Sequence, residues 1–403
     1  MTLSRRQFLK NGSALVSATL LVPPWLKEVA AAADKTGASQ SGRILVVVEL
    51  TGGNDGLNTV IPYQSGLYRD MRRVIGIDGE QVLKLNDQLA LHPTMGRMRD
   101  LFKAGRLSII QGVGYPNPNR SHFRSMEIWQ TANPERIEYY GWLGKFLDDE
   151  GHWKAPLSAV SMGLDLPLAL VGPRTDTPAL ESIEGYGLLT AGDDRQKALE
   201  LYRALHAPAG SGSPAVAKIR SSSLEALESS ERLKQRVKPS KAEYPNNRLA
   251  QSLKEIARIL SGDVGTVVAY ARLGGFDTHA GQPAAHNRLL ASLSDSIGAF
   301  WDDITARGLA DRTMLFTFSE FGRRVRENGG QGTDHGTAGP MFVLGSRLKG
   351  SIHGDIPDLR NLDGGDLKHQ IDFRSVYATL LEDWLEADAE AALGGKFGKV
   401  GFI

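Results

Sequence analysis

The sequence predicts an α/β fold with a mostly parallel sheet, from two observations. First, short apolar runs recur along the chain without alternating polar positions. They occupy residues 43–50, 107–113, 166–172, 265–273, 313–318 and 340–345. Continuous runs of this length are typical of strands that are buried on both faces of a parallel sheet. Second, longer segments with helical periodicity lie between the runs, and strands alternating with helices favour this class.

The segments between the runs predict helices. "HPTMGRMRDLFKAG" ends at Gly105, a typical helix stop, and residues 286–308 place apolar side chains at spacings of three and four. Another helix is predicted over residues 372–385. Residues 207–245 begin with a linker rich in Gly, Ser and Pro and continue with charged helical sequence. We predict a helical insertion near residues 207–250, covering the edge of the sheet.

The composition excludes several kinds of protein. The chain has 403 residues, a formal net charge of +1 and 23% charged residues, which is ordinary for a globular protein. A dedicated nucleic-acid-binding protein usually carries a basic surplus, so binding to nucleic acid is not expected. The chain contains no cysteine. This absence excludes disulfides, thiolate metal sites and cysteine nucleophiles.

The first residues predict export. "SRRQFLK" contains the pair Arg5-Arg6, and a short apolar run and a zone of small residues follow it. This order is typical of a secretory signal, and the arginine pair resembles the twin-arginine motif of bacteria. The alternative is a basic helix start on a cytosolic protein. The apolar run is too short to span a bilayer permanently. We predict a signal peptide at residues 1–33, the twin-arginine translocase as a partner during export, and a periplasmic or secreted domain at residues 42–403.

Candidate site residues follow the predicted strands, because ligands of open α/β sheets bind at the carboxyl ends of the strands. After the first strand, Asp55 in "TGGNDGLN" either offers a carboxylate to a ligand or caps a turn. After the second, Ser121 in "NRSHF" is either a helix N-cap or a nucleophile at a helix N-terminus. Arg120 beside it offers a positive charge for a phosphate or sulfate group.

Two later segments offer metal ligands. In "GGFDTH", Asp277 and His279 are two residues apart, so both side chains can face one divalent ion, although Asp277 could instead cap a helix. Glu320 follows one apolar run and His335 precedes the next, which would bring a carboxylate and an imidazole to the same edge. His286 is more typical of a packing histidine. His353 is a looser candidate.

Five motifs together resemble the DUF1501 family, which is grouped with the alkaline phosphatase/sulfatase superfamily. They are "VVVELTGGNDGLN", "NRSHFRSMEIWQT", "GGFDTH", "FSEFGRR" and "TDHGTAGP". The resemblance implies a three-layer α/β/α sandwich with a metal centre, commonly of two divalent ions. Asp55 would then be the first acidic ligand and Ser121 the nucleophile. Asp277 with His279 would match an Asp…His pair of the superfamily, and His335 its final histidine.

The sequence also departs from the superfamily pattern. Ser319-Glu320 stands where an Asp-His pair is typical, and His122, directly after Ser121, could itself bind metal. A single or altered metal site therefore fits as well as two ions. Our hypothesis is an exported metal-dependent hydrolase of phosphate or sulfate esters, acting on a small molecule or a glycan. The divalent metal would be Zn, Mn, Mg or Ca. The predicted catalytic residues are Arg120, Ser121 and His122, and the predicted ligands are Asp55, Asp277, His279, Glu320 and His335.

Two alternatives remain at this point. One is a non-catalytic exported binding protein that retains the phosphatase-like fold. The other is a metal-free serine hydrolase using Ser121, which is weaker because no G-x-S-x-G motif surrounds that serine.

Overall fold

The computed structural model describes residues 42–187, 195–207, 214–349 and 351–403. The predicted signal peptide at residues 1–33 lies outside these ranges. Within them, no helix combines the length and the apolar character that crossing a bilayer requires.

The described residues form twelve strands, most of which belong to one large sheet. In chain order they are β1 Ile44–Thr51, β2 Val60–Ile61, β3 Leu83–Lys84, β4 Ala90–Leu91, β5 Leu107–Gly114, β6 Ala159–Met162, β7 Ala179–Leu180, β8 Val268–Gly274, β9 Thr313–Ser319, β10 Gly339–Leu344, β11 Ile352–His353 and β12 Ile371–Asp372. The large sheet has the order β11-β5-β10-β9-β1-β8-β6-β7, with β12 also paired to β5. Strands β2, β4 and β3 form a separate small sheet.

Eleven α-helices surround the sheets in the described ranges. They are α1 Gly56–Thr59, α2 Gly66–Met71, α3 Gly96–Lys103, α4 His122–Thr131, α5 Trp142–Asp149, α6 Arg195–His206, α7 Pro214–Arg236, α8 Arg248–Ser261, α9 Gln282–Ala306, α10 Phe373–Thr379 and α11 Ala389–Leu393. A π-helical turn, Leu380–Trp384, continues α10.

The sheet lies between two helical layers, each with its own hydrophobic core. Strand β1 shows why, because Val46 and Val48 belong to the core shared with α3, α8 and α9. Their neighbours Leu45 and Val47 belong to the core shared with α4, α5, α10 and α11. Burial on both faces accounts for the continuous apolar run. The predicted three-layer α/β/α sandwich with a mostly parallel sheet is confirmed.

One strand departs from the parallel arrangement. Strand β10 pairs antiparallel with both β5 and β9, whereas β1, β6, β7, β8 and β9 pair in parallel. Its first residue, Gly339, lies opposite Val113 near the end of β5. The chain before β10 therefore lies at the edge of the sheet where the parallel strands end.

One predicted strand was wrong, and the predicted helical insertion is present. Residues 166–172 contain a 3₁₀ turn, Leu168–Leu170, instead of a strand. The segment is apolar because it packs against α5, where a Cβ on Gly144 would lie 2.2 Å from the main-chain oxygen of Val171. In the predicted insertion the structure contains α7, and α8 begins at its end. Residues 208–213 of the predicted range lie outside the described residues, and the domain boundaries stay a prediction.

Two buried histidines make the fold sensitive to acid. His286 in α9 and His92 are both 2% exposed, and the His286 Nε2 lies 3.0 Å from the Asn54 Oδ1. His286 is thus the packing histidine that the sequence favours. Burial lowers the pKa of each imidazole from 6.5 to about 4. The folded state therefore binds fewer protons than the unfolded chain between these values, so stability falls as the pH falls through this window.

We expect His286 to contribute up to about 3 kcal/mol to this loss. The measurement is urea unfolding across the window for the wild type and for His286→Gln, whose amide can still donate to Asn54. The variant should show a shallower dependence of unfolding free energy on pH. Equal slopes would contradict the assignment.

Candidate metal centre

Four side chains converge where the parallel strands end. Asp277 and His279 follow β8, and His122 is the first residue of α4, after the loop that leaves β5. His335 precedes β10 and reaches this edge because β10 runs antiparallel. We name His122, Asp277, His279 and His335 the four-residue cluster.

The cluster is centred on one carboxylate oxygen. The Asp277 Oδ1 lies 3.0 Å from the His279 Nε2, 3.2 Å from the His335 Nε2 and 3.5 Å from the His122 Nε2. The Nε2 atoms of His279 and His335 are 2.9 Å apart. The ligand atoms of His122, Asp277 and His335 all lie within 4.8 Å of one another.

The hydrogen bonds of the Nδ1 atoms, which point away from the centre of the cluster, assign the tautomers of His122 and His335. The His122 Nδ1 lies 2.8 Å from the Glu320 Oε1, and the His335 Nδ1 lies 2.8 Å from the main-chain oxygen of Arg120. A carboxylate or a carbonyl oxygen only accepts, so each Nδ1 carries the proton. In the neutral imidazole, Nε2 then presents a lone pair.

His279 has a carboxylate oxygen beside each ring nitrogen. Its Nδ1 lies 3.3 Å from the Asp334 Oδ1, which also accepts from the side chain of Asn328, and its Nε2 lies 3.0 Å from the Asp277 Oδ1. The three Nε2 atoms and the Asp277 Oδ1 thus meet at one place. When each imidazole carries its proton on Nδ1, all four atoms are acceptors and can share one cation.

The donor set fits a divalent metal ion. The His122 Nε2 is buried and has no hydrogen-bond partner among the described residues. Neighbouring ligands of a tetrahedral ion with metal–ligand distances near 2.05 Å are about 3.3 Å apart, close to the separations in the cluster. Imidazole nitrogen with carboxylate oxygen suits Zn²⁺ and similar ions, and a hydrogen bond from Nδ1 to a carboxylate or carbonyl is the usual support of a metal-binding histidine.

Asp277 is held ionised by a buried arginine. Burial acts to raise the pKa of Asp277, but the hydrogen bond and the charge of Arg323 outweigh it and lower the pKa to about 2. The Arg323 Nη2 lies 2.8 Å from the Asp277 Oδ1, and the Arg323 side chain is 0% exposed. The carboxylate is thus available to a cation throughout the neutral range.

Arg323 also ties together the loops that carry the site. Its guanidinium donates to four main-chain oxygens and one carboxylate, those of Gly52, Gly53, Phe276, Thr333 and Asp277. Gly52 has φ +115°, and a Cβ there would lie 2.5 Å from the Asp277 nitrogen. The loops after β1 and β8 therefore approach closely only with glycine at position 52. These contacts give Arg323 a structural role.

Glu320 lies behind His122. It is fully buried, and its Oε1 accepts hydrogen bonds from the Gly52 main-chain nitrogen at 2.8 Å and from the His122 Nδ1. Its Oε2 lies 3.2 Å from the Ser319 Oγ. These contacts fix the orientation of His122. That Glu320 itself binds metal stays a prediction.

We expect Glu320→Gln to weaken metal binding by about 10–100-fold, the usual effect of losing a supporting carboxylate. The neutral amide oxygen is a weaker acceptor for the His122 Nδ1, so the Nε2 lone pair becomes less basic and less well oriented. The measurement is zinc affinity by competition with a chromophoric chelator. Glu80→Gln, at an exposed position, is the control. Equal affinities of the two variants would contradict this role.

Asp55 has a different set of contacts. It is 1% exposed, and its Oδ2 accepts from the Arg72 Nη1 and the Gln282 Nε2, each at 2.5 Å. Burial acts to raise the pKa of Asp55, but the charge and hydrogen bond of Arg72 outweigh it and lower the pKa. The structure thus places Asp55 in a buried ion pair, and its role as a metal ligand stays a prediction.

The remaining predicted residues lie at the rim. Ser121 is the exposed N-cap residue of α4, but its side chain makes no capping hydrogen bond in the described structure. The Arg120 guanidinium pairs with the buried carboxylate of Asp366, and 43% of the arginine side chain is exposed. His353 lies on β11, where its ring faces Phe402.

Sequence reasoning missed three residues. Asp334 supports His279 and is the acid of the "TDHG" motif, so its position beside His335 was a usable signal. Arg72 and Asp366 pair with Asp55 and Arg120. Nothing in their local sequence distinguishes these two residues from ordinary surface charges.

Comparison with known proteins gives a family match and several distant structures. Residues 191–391 match the family model described as "Protein of unknown function (DUF1501)". No curated protein sequence matches the chain.

Three of the solved structures with some likeness are as follows. The PsFucS1 sulfatase from Pseudoalteromonas sp. has 13% identity and a TM-score of 0.40, over 94% of this chain and 77% of that chain. Ps i-CgsB in complex with k-i-k-neocarrahexaose has 11% identity and a TM-score of 0.40, over 89% and 75%. A protein in the alkaline phosphatase superfamily from Vibrio parahaemolyticus has 12% identity and a TM-score of 0.34, over 82% and 71%. These TM-scores are too low to transfer site residues or activity to this chain.

Proposed function

Because this chain belongs to the DUF1501 family, whose description assigns no function, we propose a function from its own site: an exported, metal-dependent hydrolase of phosphate or sulfate esters. The observation that supports it is the convergence of three Nε2 lone pairs and the Asp277 carboxylate. The proposed export by the twin-arginine route to the periplasm or the outside rests on the Arg5-Arg6 motif.

The four-residue cluster would hold the ion. The outer contacts of the histidines, to Glu320, to the Arg120 carbonyl and to Asp334, keep Nε2 directed at the ion. A bound divalent cation supplies polarisation of the ester and a lower pKa for a hydroxyl or water nearby. The Asp277 and His279 side chains are 48% and 44% exposed, so the site is open on one side to an ester group.

The rim residues provide the remaining functions of an ester hydrolase. Ser121 precedes the ten-residue helix α4, whose unpaired N–H groups and dipole stabilise an anionic group there. We assign its hydroxyl as the nucleophile. Arg120, next to it, is half exposed and would neutralise charge on the phosphate or sulfate group.

The alternative is an exported metal-binding protein without turnover. It is favoured by one observation, that Ser121 makes no side-chain hydrogen bond in the described structure to a group that would act as its base. In that case the cluster binds metal, but ester substrates are not turned over.

The test combines metal content with ester hydrolysis. We expect the zinc-loaded protein to hydrolyse 4-nitrophenyl phosphate or sulfate, and a chelator to abolish the activity. Ser121→Ala should lower kcat by at least about 100-fold while zinc stays bound, because the nucleophile acts only in the chemical step. Ser292→Ala, on α9, is the control. Bound zinc without turnover of either ester would favour the binding protein, and absence of bound metal would contradict both.

A further inference from the structure

Asp55, the carboxylate that follows β1, already forms an ion pair with the Arg72 guanidinium. The Arg72 Nη1 lies 2.5 Å from the Asp55 Oδ2, and the two side chains are 0% and 1% exposed. A guanidinium keeps its charge at any pH at which the protein is folded. The negative charge of Asp55 is therefore balanced within the protein.

Arg72 is fixed in this position by three further contacts. Its Nε lies 2.9 Å from the Val325 oxygen, its Nη2 2.9 Å from the Arg324 oxygen and its Nη1 2.9 Å from the Asn58 Oδ1. A divalent ion bound to Asp55 would place two more positive charges beside a guanidinium that cannot move away. In a buried environment this repulsion is strong.

The free oxygen of Asp55 does not make a second metal site. Its Oδ1 is buried and has no hydrogen-bond partner in the described part of the chain. The other side chain hydrogen-bonded to the carboxylate besides Arg72 is the Gln282 amide, whose Oε1 already accepts from the Thr333 hydroxyl. A single free oxygen suits a buried water better than a divalent ion, which needs at least four ligands.

Glu320, a buried carboxylate beside His122, also has hydrogen-bond partners. Its Oε1 accepts two hydrogen bonds, from Gly52 and His122, and its Oε2 contacts the Ser319 hydroxyl. Asp55 and Glu320 thus both have protein partners in place of a second ion.

We infer that this chain binds one divalent ion per molecule, at the four-residue cluster, and that the Arg72 guanidinium provides at Asp55 the positive charge that a second ion would provide. The inference rests on the proposed metal site and differs from the two ions that the superfamily resemblance implies.

Metal stoichiometry and electron paramagnetic resonance test the inference without an activity assay. The purified full-length protein, stripped of metal and titrated with Zn²⁺, should bind one equivalent by elemental analysis. Loaded with Mn²⁺, it should give a six-line spectrum without exchange coupling. Two equivalents, or an exchange-coupled manganese pair, would overturn the inference and leave the metal site intact. No bound metal would overturn the metal site itself, and the inference with it.

A paired variant tests the assignment of Asp55. Asp55→Asn combined with Arg72→Met removes both charges, which avoids leaving one of them buried and uncompensated. Zinc stoichiometry should stay at one equivalent, as in the control Arg99→Met with Asp100→Asn, an exposed pair. Circular dichroism verifies folding. A loss of bound zinc from the folded paired variant would make Asp55 a ligand and overturn the inference. If this variant does not fold, the wild-type manganese spectrum still decides between one ion and two.

Discussion

Replacing His335 with alanine is expected to lower the affinity for a divalent ion by more than 100-fold, beyond the roughly 10–100-fold expected for loss of a supporting group. The His335 Nε2 lies 2.9 Å from that of His279 and 3.2 Å from the Asp277 Oδ1. Its loss opens the cluster and removes one of the three imidazoles of the proposed metal site. The affinity is measured by calorimetric titration with Zn²⁺.

Thermal unfolding provides a second measurement for the same variant. A ligand that binds only the folded state raises the melting temperature, so saturating zinc should stabilise the wild type and have much less effect on His335→Ala. His206→Ala, on α6, removes a histidine far along the chain from the cluster and should retain the full effect. Equal zinc stabilisation of both variants would contradict the metal centre.

Replacing Arg323 with methionine is expected to lower the free energy of unfolding by about 3–5 kcal/mol or more. The side chain is fully buried and donates to four main-chain oxygens and to Asp277. Methionine fills part of the volume but leaves these acceptors without donors, and each unsatisfied buried group costs about 1–3 kcal/mol. Urea unfolding of the metal-free protein measures the loss.

The matched control is Arg326→Met, three residues further along at an exposed position. It should change the free energy of unfolding by no more than about 0.5 kcal/mol, as is usual for surface substitutions. If Arg323→Met proved as mild as this control, the guanidinium would not be holding the loops together.

The sheet was predictable because a strand that is buried on both faces is recognisable from its own apolar residues. The run at β1 is apolar at five consecutive positions, 44–48, because both faces of the strand are covered, and no partner needs to be known to infer this. Residues 166–172 show the limit of that reasoning. The same kind of apolar run arises where a 3₁₀ turn packs under α5, so local composition does not distinguish the two cases.

The site was predictable in its residue types but not in its partners. Asp277, His279 and His335 were expected together, and they do converge. The position of His335 depends on the antiparallel direction of β10, which a pattern of apolar residues does not contain. Asp55 pairs with Arg72, and Glu320 contacts His122. Both contacts are made by the tertiary fold, so the sequence around each carboxylate does not show what it faces.

The antiparallel direction of β10 has a consequence for how this protein could diversify. Residues 320–338 leave the sheet after β9 and return to it at the same edge, so this excursion needs no helix to cross back over a layer. Its length is therefore not set by the thickness of the domain. Insertions after Arg326, beyond the Arg323 anchor, would reshape the surface beside the four-residue cluster, because Asn328 contacts the main-chain oxygen of His279 there, while leaving the strand register unchanged. Relatives with different substrates would be expected to differ in length there first.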